Sequence, residues 1–79
     1  MNKQELAEAK WDLWGNSLLN IFAADMSTED VCTAIGVAKK RFIELETDRD
    51  SEHASMGSLR VALRSGRESV DAKLENKVA

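Results

Sequence analysis

Between Val31 and Val70, apolar residues return every three or four positions, and this rhythm constrains the fold more than any other feature. Set a at positions 35, 42, 49, 56, 63 and 70, and d at 31, 38, 45, 52, 59 and 66. Nine of these twelve positions are then hydrophobic: Ile35, Phe42, Met56, Leu63, Val70, Val31, Ala38, Leu45 and Leu59. The other 28 positions in the stretch hold only seven hydrophobic residues. A period of about 3.5 residues belongs to helices packed along a seam. No proline occurs in the 79 residues, so nothing forces a helix to stop. Arg49 and Glu52 interrupt the seam, and residues 47–58 are rich in Asp, Ser and Gly. A polar layer of this kind either sets the register of one long helix or marks the break between two.

The N-terminal third predicts a separate helix over residues 2–24. Asn2 is placed to cap it, with Glu5 three residues on. Ala7, Trp11, Trp14, Leu18 and Ile21 follow spacings of 4, 3, 4 and 3, with Phe22 beside them, which predicts one apolar face. Leu6, Leu13 and Leu19 fall on other faces. The run from Asp25 to Asp30 is a break. Ser27 or Thr28 is a suitable N-cap, and Glu29 and Asp30 suit the positive end of a helix dipole. The expected fold is therefore all-α and a single domain over 1–79: an N-terminal helix, a turn, then one long heptad-patterned helix or two shorter ones. Short helical chains have small cores, so self-association along the seam as a coiled-coil or bundle oligomer is expected.

Composition removes several classes of function. Eleven basic residues against fourteen acidic give a net charge of -3, which argues against a strongly basic nucleic-acid coat. The longest stretch without a charge, Leu13 to Ala24, has twelve residues where a membrane span needs about 20, so no membrane role is expected. No secretory signal is recognisable, and with one cysteine a reducing cytoplasmic setting is the default. One Cys and one His build no zinc cluster, and no phosphate-binding or nucleophile-elbow motif occurs. Catalysis, a metal, a cofactor and a small-molecule substrate are all unexpected. Cys32 reads as a small buried thiol and His53 as a surface residue. Arg60, Arg64 and Arg67, at i, i+4 and i+7, read as a solvated basic face pairing with Glu68 and Asp71, or else as a phosphate-tracking stripe or a site for an acidic partner.

Residues 28–45 resemble the helix-turn-helix of small bacterial and phage transcription regulators. Cys32 supplies the small residue early in the first helix, Gly36 stands at the turn, and Val31, Ile35, Val37, Phe42 and Leu45 occupy core positions. The resemblance implies a recognition helix from Ala38 to about Leu45. Lys39, Lys40 and Arg41 would then reach phosphates or guanine edges, and Glu44 would accept from cytosine. Val37 favours the motif and Ile43 favours a continuous helix. Residues 28–50 carry four basic and six acidic groups, an awkward balance for DNA.

Two functions are thus expected, in this order. The first is a non-enzymatic regulatory protein that works through protein–protein binding and self-association, as an inhibitor, antirepressor or adaptor. In size and composition it is similar to small prophage-encoded regulators. Its partner or oligomer interface would use Trp11, Trp14, Leu18, Phe22, Val31, Ile35, Phe42 and Leu45. The second is a DNA-binding regulator using residues 28–45.

Overall fold

The structure is a computed structural model and describes residues 2–48 and 55–78. Among these residues the chain is all-helical. α1 (Lys3–Lys10), a π-helical turn (Trp11–Gly15) and α2 (Asn16–Phe22) run on as one N-terminal helix. α3 (Thr28–Asp48) and α4 (Ser55–Val78) follow. The helix starts are those the capping residues predict. The Asn2 side chain accepts from the Glu5 backbone N–H at 2.8 Å, and Ser27 Oγ accepts from that of Asp30 at 3.2 Å. The N-terminal helix ends where the Ala23 N–H reaches the Leu19 carbonyl at 2.8 Å, and the Met26 N–H closes the turn on the Ala23 carbonyl at 3.0 Å.

The stretch after Val31 forms two helices, and they fold back on one another. Ion pairs fix the direction: Lys73 near the end of α4 meets Glu29 and Asp30 at the start of α3, at 3.6 and 3.9 Å. The seam residues Arg49 and Glu52, together with His53, lie outside the described residues. The rest of the seam is largely consumed inside the chain. Ala38, Phe42, Leu59, Leu63 and Val70 are buried, and Val31, Ile35 and Leu45 are half-buried. Met56 is the exception, 66% exposed. Leu74, expected on the same side as Val70, is also exposed.

Small residues set how closely these two helices approach. Ala34, Ala38 and Ala62 are fully buried. A Cβ at Gly66 would stand 2.6 Å from the Ala34 carbonyl oxygen and 3.2 Å from the Ala38 Cβ, so only glycine fits. Gly36 has open space around it and lies inside α3. No described residue has a positive φ. The turn expected at Gly36 under the helix-turn-helix resemblance is therefore not formed. The Ala34–Ala38 face held against α4 and the absence of proline keep α3 continuous through Gly36, whose low helix propensity costs only about 1 kcal/mol. Val37 is accordingly half-exposed rather than buried under a turn.

The N-terminal helix also packs on α3, antiparallel to it and beside α4. Lys10 pairs with Glu46 at 3.2 Å, and the Trp11 and Phe42 rings meet at 5.8 Å between centroids, tilted by 45°. Such an aromatic pair adds about 0.5–1.5 kcal/mol beyond its buried area.

Its buried face differs from the one the 4-3-4-3 spacing predicts. The buried residues are Ala7, Trp11, Gly15, Leu19 and Ala23, spaced by four throughout. In a straight α-helix each such step drifts about 40°, or about 160° over the set. A single π turn holds one extra residue and takes up about 100° of that drift. The turn lies at Trp11–Gly15 because Gly15 has no side chain: a Cβ there would collide with the Trp11 ring. The indole lies flat over that gap.

Candidate protein-docking groove

The π turn determines which side chains remain outside. Because the face shifts by one residue, Leu19 is fully buried while Leu18, Ile21 and Phe22 are 36, 76 and 50% exposed. Trp14 is half-buried against the core. Leu18 and Phe22, one turn apart on α2, form one wall of a groove. The N-terminal half of α4 forms the other, with Met56 at its end and Leu59 and Leu63 at its base. The cavity volume is about 610 Å³.

Its charged rim comes from α4. Arg60, Arg64 and Arg67 all line the groove, with Glu68 the one acidic lining residue. The three arginines therefore edge an apolar trough rather than forming a separate solvated face. Arg67 is engaged: its guanidinium donates to both carboxylate oxygens of Asp25, at 3.0 and 3.1 Å, and it lies 3.7 Å from Asp71. The hydrogen bond from Arg67 holds the Asp25 carboxyl below its ordinary range, and the same bond raises the Arg67 pKa. This fork ties the α2–α3 turn to α4 and closes one end of the groove. Arg60 and Arg64 are exposed and make no ion pair among the described residues.

The residues expected at an interface divide into three groups. Trp11 and Phe42 are buried in this chain's own core, about 1 and 0% exposed, and so offer no surface to a partner. Val31, Ile35, Leu45 and Trp14 are half-buried between helices. Leu18 and Phe22 are the two of the eight that face solvent, and both line the groove. Met56 and the Arg60–Arg64 pair join them from α4, more than thirty residues on in the sequence. The expected recognition residues stand along α3: Lys39 is half-buried, Lys40 is exposed, and Arg41 pairs with Glu44 at 3.5 Å. Cys32 is exposed, contrary to expectation, because Ala34 and not Cys32 lies on the buried face of α3. Among the described residues no helix is long and apolar enough to cross a membrane. Comparison with protein-family models, with curated proteins and with solved structures gives no match.

Proposed function

We propose that this chain is a small non-enzymatic regulatory protein, of the inhibitor, antirepressor or adaptor type, that acts in a reducing cytoplasmic compartment by binding another protein. One observation carries the reading: the apolar groove between α2 and α4, with Leu18, Phe22 and Met56 turned outward. Apolar side chains grouped in a concave surface and edged by charge are the usual form of a protein-binding site. The reading also includes self-association, through the apolar residues outside the groove on the N-terminal helix. Leu13 and Ile21 are 71 and 76% exposed there, on a chain with a small core.

The test uses a photo-cross-linking residue at position 22 and, as a control, at position 40, in cells that express the full chain. An adduct at 22 and none at 40, lost when Leu18 is changed to Glu, is the expected result. Because Leu18 is partly exposed, Leu18→Glu should leave the circular dichroism spectrum and melting curve close to those of the parent. Equal adducts at both positions, or none at either, would remove the groove as the working surface.

A further inference from the structure

Resting on the groove as the working surface, we infer that its occupant is an acidic amphipathic α-helix of another protein. The argument begins with shape. Leu18 and Phe22 form a ridge on α2, Met56, Arg60 and Arg64, each one helical turn apart, form a second on α4, and the buried Leu59 and Leu63 form the floor between them. Two ridges with a trough between them receive the side-chain row of a third helix, whose apolar residues recur at i, i+3 or i+4, and i+7. A flat or extended ligand would leave the trough partly unfilled.

Charge then selects the class of helix. The chain as a whole carries -3, yet the groove is lined by three arginines and one glutamate. Arg67 is already committed to Asp25, so Arg60 and Arg64 are the cations left for a ligand. They stand four residues apart, about 6 Å along the helix. Carboxylates four residues apart on an incoming helix have the same pitch. Arginine is also suited to the task, since its planar fork binds a carboxylate through two hydrogen bonds and its stem covers apolar surface. A basic or neutral helix would fill the trough but leave both guanidinium groups unmatched, and like charge would oppose it.

Two designed peptides of about 18 residues, near five helical turns, test this. Both carry leucines along one face. One has Glu at i and i+4 on the flank, and the other has Lys at the same positions. Binding to the full chain is read by anisotropy of the labelled peptide and by backbone amide shifts of Leu18, Phe22, Leu59 and Leu63. The acidic peptide should bind at least tenfold more tightly than the basic one, shift those amides, and weaken as salt rises to about 0.15 M. The double change Arg60→Glu, Arg64→Glu should invert the preference, and Arg60→Gln, Arg64→Gln should abolish it, both at an unchanged melting temperature. Equal affinity for the two peptides, with groove amides shifting, would overturn the acidic class and leave the groove reading intact. No shift with either peptide would overturn the docking of helices there. A dimer in sedimentation that Phe22→Glu dissociates and Ile21→Glu does not would assign the groove to a second copy, and would also overturn the inference.

Discussion

Replacing Gly66 with alanine puts one methyl group where the α3–α4 contact has no room for it. The added Cβ would lie 2.6 Å from the Ala34 carbonyl oxygen and 3.3 Å from its carbonyl carbon, both backbone atoms that no rotamer change can move. Ordinary contact needs about 3.5 Å, so the helices must part by close to 1 Å locally. A gap of that size forfeits about a quarter to a half of the dispersion energy of the atoms lining it, here around Ala34, Ala38 and Ala62. Overpacking costs about 1–3 kcal/mol, and immovable backbone points to the upper end. Alanine gains back about 1 kcal/mol over glycine inside a helix. The net loss is about 2 kcal/mol, a fall of roughly 8–16 °C in Tm for a domain of this size. Gly36→Ala is the matched comparison. It has the same chemistry and a helical site, with nothing within 4 Å of the new Cβ. It should raise Tm by roughly 4–8 °C. Thermal unfolding followed by circular dichroism measures both. A Gly66→Ala protein as stable as the parent would refute the close approach of α3 and α4. A Gly36→Ala protein that melts earlier would refute a continuous α3, and would restore the turn that a helix-turn-helix requires.

Three further outcomes follow from other contacts. Trp11→Ala should lose about 3–5 kcal/mol in urea unfolding, a large part of the roughly 4–12 kcal/mol available to a chain of this length, and a loss below 1 kcal/mol would remove Trp11 from the core. Ser58 is 2% exposed and its hydroxyl has no hydrogen-bond partner among the described residues, so Ser58→Ala should stabilise by about 1 kcal/mol; a loss of that size would mean the hydroxyl is bonded. The lowered pKa of Asp25 makes its pair with Arg67 a source of stability that is present above the ordinary carboxylate range and is lost as pH falls through the folded-state value. In a carboxyl-carbon NMR titration, Arg67→Gln should move the Asp25 midpoint upward, and an unchanged midpoint would show that the fork does not form in solution.

The helix starts at Asn2 and Ser27 were legible because capping is local chemistry, settled within four residues. The seam from Val31 to Val70 was legible as a period, although the period alone leaves open whether its partner is the same chain or a second one. The folding-back of α4 on α3 settles that for Phe42, Leu59 and Val70, and also moves Phe42 from interface to core. The face of the N-terminal helix was the harder case. Two rows compete there: one through Trp14, Leu18 and Ile21, and one through Gly15, Leu19 and Ala23. Counting apolar residues at α-helical spacing selects the first. The second prevails because Gly15 and Ala23 allow close packing and because the Trp11 indole needs the space above Gly15. A tryptophan four residues before a glycine in a helix is the trace of this in the sequence. The groove was legible only in parts. Leu18, Phe22 and the three arginines each stand out in the sequence, but their meeting depends on the π turn and on the hairpin together.

The π turn also gives the N-terminal helix one residue of slack. Removing Leu13, which is 71% exposed, would bring Leu19 and Ala23 to seven and eleven positions after Trp11, about two and three full α-helical turns. The helix would become regular while its inner and outer sides kept their identities. The same loss between Ala38 and Phe42 would rotate everything after it in α3 by about 100° and carry Phe42 off the Trp11 contact. Length change is therefore tolerated within the π turn and disruptive in the helix beside it. Among single-residue deletions within α3 and the N-terminal helix, those that still fold should lie between Trp11 and Gly15.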